Sequence, residues 1–223
     1  MKAPRHQRAA NVLLGRIALG LLVFTVLAFG AKSLIHTEVQ ARFTPIVVVH
    51  AAAMIAWLGL LVSQAYLAAA NRFVVHRALG RASILLVLVM LTTGVLISIN
   101  IGEELGRIEV TIVNVAAFVT FVPLYILAVH YARGKRIHEH RQAMLIATLA
   151  LMTPAYARVV QVLGLPDPIA IGIQPPITIA IALAYDWLVL ARLTRPVLSM
   201  LAFSVTVVIV MAAGLLLLVG LPQ

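Results

Sequence analysis

The stretch that decides the fold is residues 44–81, TPIVVVHAAAMIAWLGLLVSQAYLAAANRFVVHRALGR, in which a long apolar run ends in a basic turn. A helix of about 20 apolar residues is about 30 Å long, which matches the hydrocarbon core of a bilayer. The run carries His50 near its start and leads into His76 and Arg77. The stretch therefore predicts a membrane-spanning helix followed by a short basic turn.

The composition of the whole chain agrees with this interpretation. Of the 223 residues, 63% are hydrophobic and only 11% are charged, whereas soluble domains are about a quarter charged. Cysteine is absent, which excludes disulfides, thiolate metal sites and cysteine nucleophiles. The net charge of +10 comes from residues in short turns between apolar runs, so we interpret it as a signal of membrane orientation and exclude nucleic acid as a partner.

Seven apolar runs predict an all-α integral membrane bundle forming a single transmembrane domain over residues 1–223. The runs cover about 11–34, 45–70, 80–101, 110–132, 141–164, 175–193 and 196–220. With the N-terminus in the cytoplasm, 13 Lys and Arg residues lie on the cytoplasmic side and 3 lie outside. This asymmetry predicts a cytoplasmic N-terminus and an outer C-terminus, in a multi-pass protein of the bacterial inner membrane with the lipid bilayer as its partner.

The first run leaves two alternatives open, because Arg16 interrupts its start and small residues lie near its end. It is either a retained helix or a cleaved signal peptide, and the second alternative leaves six spans. Pro45 and Pro175 or Pro176 are predicted in the first turns of their helices, while Pro154 predicts a kink and Pro123 a milder one. Residues 165–176 are predicted to form a connection along the outer membrane surface.

The two longest basic turns share a spacing. Each contains Arg-x-x-x-His-Arg, at Arg72–Arg77 and again 64 residues later at Arg136–Arg141. The helix pairs 45–101 and 110–164 therefore fit a parallel duplication, and the alternative is that both turns are simply basic.

His50 with Trp57, the sequence HRALG at 76–80 and HRQAM at 140–144 together resemble uncharacterised bacterial multi-spanning inner-membrane proteins with paired His-Arg turn motifs. The resemblance covers about residues 44–160. It implies a multi-helix membrane protein and no particular activity.

Polar side chains within the apolar runs are the first candidates for a site, because burying them in a bilayer is unfavourable. His50, Asn114 and Arg158 are predicted at a similar depth on three helices, where they would line a cavity open to the outside. Alternatively, Arg158 reaches the outer headgroups or Asp167, and His50 bonds a backbone carbonyl.

Asp186, flanked by Tyr185 and Trp187, is predicted near the middle of the sixth run. A carboxylate there is either protonated or paired. We expect a structural pair with Arg158 or Arg192, or else a carboxylate that couples to protons or substrate.

The histidines give a third set of candidates. His50, His76, His130 and His140 have the chemistry to ligate haem or a metal ion, and His138 lies with the last three at the predicted cytoplasmic boundary. A basic surface facing anionic lipid is the alternative. The cofactor is left open, with haem b as one candidate.

These observations favour a small-molecule binding or transport protein with a polar cavity among the second, fourth, fifth and sixth runs. Arg158 would hold an anionic small molecule there. The alternatives are a haem- or quinone-linked redox component and an accessory or assembly subunit. The only lysines are Lys2, Lys32 and Lys135, so a retinal Schiff base in the last helix is excluded. Enzymatic activity and oligomeric state are left open.

Overall fold

The computed structural model describes residues 5–218, which are helical apart from short turns. Helix α1 (Arg5–Ile35) leads through a 3₁₀ helix (Thr37–Arg42) to α2 (Pro45–Ala69) and α3 (Phe73–Leu105). The chain continues through α4 (Ile108–Arg133), α5 (Ile137–Ala150), α6 (Thr153–Val162), α7 (Pro168–Leu190) and α8 (Arg195–Leu218). No strand occurs in this part of the chain.

Seven helical spans within residues 5–218 are long and apolar enough to cross a membrane, with α5 and α6 together forming the fifth. The predicted all-α membrane architecture is therefore confirmed. The end of the last predicted run and the C-terminus lie outside the described residues, as does Lys2.

The helices belong to two compact units. The first comprises Met1–Thr93 and Arg158–Pro166, and the second comprises Gly94–Ala157 and Asp167–Gln223. The prediction of one domain over residues 1–223 stays a prediction.

In the first unit, α1 packs along α2. Gly15 permits this contact, because a Cβ atom at its position would lie 3.0 Å from the ring of Tyr66. Ala18, fully buried one turn further on, is another small residue of α1. Small residues allow membrane helices to approach closely, so this packing follows the general rule for helix association in lipid.

In the second unit, α5 contacts α4, α7 and α8. Two thirds of the span that it forms with α6 is buried, against at most one third for each other span. The span is interrupted at Leu151 and Met152, immediately before Thr153 and Pro154. The predicted kink is thus a break between two helices.

Helix α7 begins earlier than predicted. It starts with Pro168 in its first turn, and Pro175 and Pro176 lie inside it rather than at its start. The prediction that residues 165–176 form a surface connection is therefore wrong for most of that segment. In membrane helices, neighbouring groups can satisfy the carbonyls that a proline leaves unbonded, so proline is a weaker boundary signal than in soluble proteins.

The two basic turns have the same backbone conformation at the 64-residue offset. Asn71 and Lys135 both have a φ of 59°, in the left-handed region. The Nδ1 atom of His76 lies 3.2 Å from the carbonyl oxygen of Gln64, and that of His140 lies 2.9 Å from the carbonyl oxygen of Ala128. The backbone hydrogen bonds also match: Arg72 to Leu67 and His76 to Arg72, then Arg136 to Tyr131 and His140 to Arg136. Duplication of the whole helix pairs stays a prediction.

Candidate functional site

The most deeply buried ionisable group in the described part of the second unit is Asp186, whose side chain is 0% exposed. Its Oδ1 atom lies 2.5 Å from Nε2 of His138, whose side chain is 15% exposed. His138 is the second residue of α5 and Asp186 is in the last turns of α7, so both lie at the predicted cytoplasmic end of their helices. The contact joins a carboxylate sealed from solvent to an imidazole with limited access.

Two further residues hold the carboxylate in place. Gln142, also fully buried, donates from Nε2 to Oδ1 of Asp186 at 3.3 Å and to the carbonyl of Ala182 at 3.1 Å. The backbone N–H of Thr194 donates to Oδ2 at 2.6 Å. Asp186 therefore links α5 and α7 to the turn before α8.

Arg141 and Tyr185 complete this buried group. The guanidinium of Arg141 donates a hydrogen bond to the Tyr185 hydroxyl, and the rings of Tyr185 and His138 stack with centroids 6.1 Å apart. Arg141 is 5% exposed and Tyr185 is fully buried. Three buried atoms of the group have no hydrogen-bond partner in the described chain, namely Nδ1 of His138, Nε of Arg141 and Oε1 of Gln142.

Two expectations for Asp186 need correction. Because α7 ends at Leu190, Asp186 lies about one turn from the end of the helix and not near its middle. Its side-chain partner is also a histidine, His138, whereas the sequence pointed to Arg158 or Arg192. The apolar runs in the sequence could not reveal the pair of Asp186 and His138, because the pairing depends on the residues at which α5 begins and α7 ends.

Buried positions recur on helix α7 at four-residue spacing from Ala170 to Asp186. We call the last four of them, Gln174, Thr178, Ala182 and Asp186, the α7 stripe. Residues at this spacing lie on one face of a helix. Gln174 donates from Nε2 to the carbonyl of Leu149 and to Oγ1 of Thr178, both at 3.2 Å. The stripe thus carries polar contacts with α5 over most of its length.

At the other end of the α7 stripe is a cavity of about 30 Å³, which we call the helix-break cavity. Ala150 and Thr153 line it from either side of the interruption between α5 and α6. Its polar side chains come from four helices: Thr120, Thr153, Gln174, Thr178 and Ser204. None of the five polar residues predicted to act within the membrane lines this cavity, namely His50, Asn114, Arg158, Tyr185 and Asp186.

His50 lies in the first unit and bonds a neighbouring side chain. Its Nδ1 atom is 2.9 Å from Oγ1 of Thr93. The Thr93 hydroxyl already donates its one proton to the carbonyl of Val89, at 2.6 Å. His50 must therefore donate from Nδ1, which leaves Nε2 with its lone pair when the ring is neutral.

Asn114 and Arg158 also have contacts of their own. Asn114 donates from Nδ2 to Oγ of Ser98 at 2.9 Å, in the second unit. Arg158, in the first unit, donates to Oε1 of Gln161 at 2.8 Å and lies over the ring of Phe29 at 5.3 Å. The cavity predicted for His50, Asn114 and Arg158 stays a prediction.

Asp167, considered above as a partner for Arg158, forms an ion pair with Arg107 at 2.7 Å. Arg107 also bonds Glu109 at 2.7 Å. The hydrogen bonds that Arg107 donates, first to Glu109 and then to Asp167, raise the pKa of its guanidinium above the usual value. This ion pair closes the predicted outer end of the second unit.

The histidines are not gathered into a metal centre. Within residues 5–218, no three His, Cys, Asp or Glu side chains are grouped so that they could hold a metal ion. His76 and His140 are held by backbone carbonyls, as described above, and His130 is exposed next to Tyr131. Haem ligation by His50, His76, His130 or His140 stays a prediction.

The chain matches no protein-family model, no curated protein and no solved structure. Its resemblance to uncharacterised bacterial inner-membrane proteins therefore stays a prediction. The site has to be interpreted from its own chemistry.

Several residues of the site were missed in the sequence. Gln174 was placed at the edge of a surface connection, and Arg141 and Gln142 were placed at the start of the fifth run but were not considered as site residues. The four-residue spacing of Gln174, Thr178 and Asp186 is a signal that could have shown them on one helix face. Prolines 175 and 176 obscured it.

Proposed function

We propose that this protein is a transporter of small molecules in the bacterial inner membrane, and that transport is coupled to protonation of the Asp186–His138 pair. The observation that carries the proposal is the fully buried carboxylate of Asp186 with a histidine as its direct partner. Burying an ionisable group in a membrane span is energetically unfavourable, and such groups commonly serve in proton and substrate pathways.

The identity of the partner supports a proton site over a purely structural pair. An arginine keeps its charge at all accessible pH values, so an Asp–Arg pair is fixed. Histidine ordinarily changes its protonation near neutral pH. A histidine partner, unlike an arginine, is therefore chemically able to exchange a proton with the Asp186 carboxylate.

The position of the pair also supports coupling. His138 gives the buried carboxylate limited access to the predicted cytoplasmic end, while the α7 stripe runs from Asp186 to the helix-break cavity. Gln142 bridges the stripe at Ala182. Protonation of Asp186 removes the charge that Gln142 and Thr194 bond, so it alters contacts between three helices at once.

The volume of the helix-break cavity limits the size of the substrate that it can hold. Drug-sized ligands occupy pockets of about 300–1,000 Å³. The helix-break cavity, at about 30 Å³, is far smaller, so a substrate of that size requires the helices to move apart. Small anions are the class of substrate that we test first, with Arg158 as the residue that would bind them.

The proton site is tested by infrared difference spectroscopy of the full-length protein in liposomes, across a pH step through neutrality. We expect a carboxyl band that is present in the wild type and lost in Asp186→Asn. Glu139→Gln is the matched control, since Glu139 is a carboxylate next to His138 that bonds Arg136 at the surface. An unchanged spectrum in Asp186→Asn excludes the proton site.

Transport itself is tested in liposomes that contain a pH-sensitive dye, with small carboxylates and phosphates added outside. We expect a solute-dependent proton flux in the wild type and in Glu139→Gln but none in Asp186→Asn. The redox and accessory-subunit alternatives stay predictions from the sequence. A Soret band in the purified protein would favour the haem-linked component over transport.

A further inference from the structure

Pro154 creates an unusual backbone environment in the middle of the membrane. In a continuous helix, the carbonyl of Ala150 would accept a hydrogen bond from the N–H of residue 154, but proline has no N–H. Met152 and Leu151 instead bond back to Leu149 and Thr148, and Ala155 bonds Met152. The carbonyl of Ala150 is thus left without its helical donor, and Ala150 lines the helix-break cavity.

The end of α5 adds negative potential at this point. The last carbonyls of a helix carry a partial negative charge, which attracts cations. Helix α5 is 14 residues long and ends at Ala150, on the cavity wall. Interrupted membrane helices use such carbonyl ends to coordinate monovalent cations in many transporter folds.

The side chains of the cavity are mainly hydrogen-bond acceptors. Thr120 donates its hydroxyl proton to the carbonyl of Ala116 at 2.9 Å, and Ser204 donates its own to Met200 at 3.0 Å. Both N–H groups of the Gln174 amide are directed to Leu149 and Thr178. What these side chains offer the cavity is therefore oxygen lone pairs, on Thr120, Ser204 and Oε1 of Gln174.

These groups are themselves buried. Thr120, Gln174, Thr178 and Ser204 are each at most 8% exposed. Buried acceptors without donors are unfavourable, so a ligand that supplies positive charge or donors stabilises the cavity.

We propose that the helix-break cavity is a binding site for a small monovalent cation of the alkali or ammonium class. Its ligands are the carbonyl of Ala150, Oε1 of Gln174 and the hydroxyl oxygens of Thr120 and Ser204. The volume of about 30 Å³ accommodates one such ion with about one water molecule. Larger organic cations such as choline are excluded by size. The site shares no ligand with the Asp186–His138 pair and does not depend on the proposed function.

The test uses the full-length protein purified in detergent and follows its thermal unfolding in sodium, potassium, ammonium or choline chloride at equal ionic strength. A ligand that binds only the folded state raises the unfolding temperature as it saturates its site. We expect a saturable increase with at least one of the small cations over choline. Equal curves in all four salts would show that the cavity holds only water, and would overturn the proposal.

Variants locate the effect. We expect Gln174→Met to weaken the apparent cation affinity at least about tenfold, because it removes one oxygen ligand and keeps the side-chain volume. Gln64→Met is the matched control, since Gln64 is a half-buried glutamine of the first unit whose buried amide atoms have no partner in the described chain. A wild-type salt response in Gln174→Met contradicts the site.

Pro154→Ala gives an independent readout. It restores an N–H for the carbonyl of Ala150, so we expect the cation-free protein to become more stable and the cation response to shrink. Circular dichroism and gel filtration verify folding of each variant. If either of these variants misfolds, the smaller change Ser204→Ala replaces it, with a severalfold loss of affinity as the expected result and an unchanged affinity as the contradicting one.

Discussion

His138 and Asp186 are separated by 48 positions in the chain, yet Nε2 of the histidine lies 2.5 Å from Oδ1 of the aspartate. The contact holds the start of α5 against the end of α7. Asp186 also accepts the N–H of Thr194, so one side chain connects three helices of the second unit. Removal of the Asp186 carboxylate is therefore expected to affect stability as well as the proposed proton transfer.

We expect Asp186→Ala to lower the free energy of unfolding by about 3 kcal/mol, because it leaves His138, Gln142 and the Thr194 N–H without their acceptor in a buried place. Asp186→Asn keeps the shape and is expected to cost less. Denaturant unfolding in detergent micelles measures both, with Glu139→Ala as the surface control. If Asp186→Ala lowers the free energy of unfolding by less than Glu139→Ala does, the carboxylate does not hold these helices together.

The ion pairs of Arg107 predict how the stability of the protein depends on salt concentration. Its side chain and those of Glu109 and Asp167 are each more than a third exposed, so solvent screens the ion pairs. We expect Arg107→Gln to destabilise the protein by at most about 1 kcal/mol, and less at high ionic strength. Thermal unfolding at two salt concentrations measures the difference, and an effect that grows with salt would contradict the pairing.

The raised pKa of Arg107 also sets the expected pH dependence. A base with a raised pKa contributes its stability fully below its usual pKa, and loses that stability only as the pH rises through the higher folded-state pKa. Arg107 is therefore expected to add no slope to a plot of stability against pH between about pH 6 and 10. Comparing the slopes of the wild type and Arg107→Gln in that range checks this.

The contact between Gly15 and Tyr66 tests the packing of α1 on α2. A side chain at position 15 meets the Tyr66 ring at 3.0 Å, so we expect Gly15→Val to cost about 1–3 kcal/mol. Gly20→Val is the control, because nothing lies within 4 Å of a Cβ atom there. Unfolding of both variants is compared in the same detergent. Tyr66→Ala should reduce the cost of Gly15→Val, and strictly additive effects would contradict the contact.

The two matched turns give a paired prediction. Lys135 and Asn71 both have a φ of 59°, a conformation that is strained for lysine but tolerated by asparagine. We expect Lys135→Gly to stabilise the protein by about 1 kcal/mol and Asn71→Gly to have a smaller effect. Unfolding by denaturant measures both changes. A larger gain at position 71 would contradict this account of the turns.

The sequence predicted the spans well because their signal is local. Apolar length is read directly from the chain, and the run from Pro45 to Ala69 differs by one residue from the predicted 45–70. Prediction was poorer where a rule from soluble proteins was applied to the membrane. Pro175 and Pro176 were placed at the start of a helix that in fact begins at Pro168. That error moved Asp186 from the end of a helix to its middle.

The candidate site was predicted only in part. Asp186 and Tyr185 stand out in the sequence because a carboxylate within an apolar run is rare. Gln142 and Gln174 do not, because neutral amides become informative only when their partners are known. The helix-break cavity was also beyond prediction, since it needs Thr120, Gln174 and Ser204 from three helices at one level.

The sequence by itself determined that this chain is an all-helical membrane protein of seven spans, because a bilayer admits few structures and demands apolar length of each. It also determined the spacing of the two His-Arg turns. Only the tertiary structure decided that Asp186 meets a histidine and not an arginine, and that Ala150, at the end of α5, lines a cavity together with Thr120, Gln174 and Ser204. Those contacts depend on how helices that are far apart in the chain pack against one another. The residue pattern of one helix does not specify which helices lie next to it.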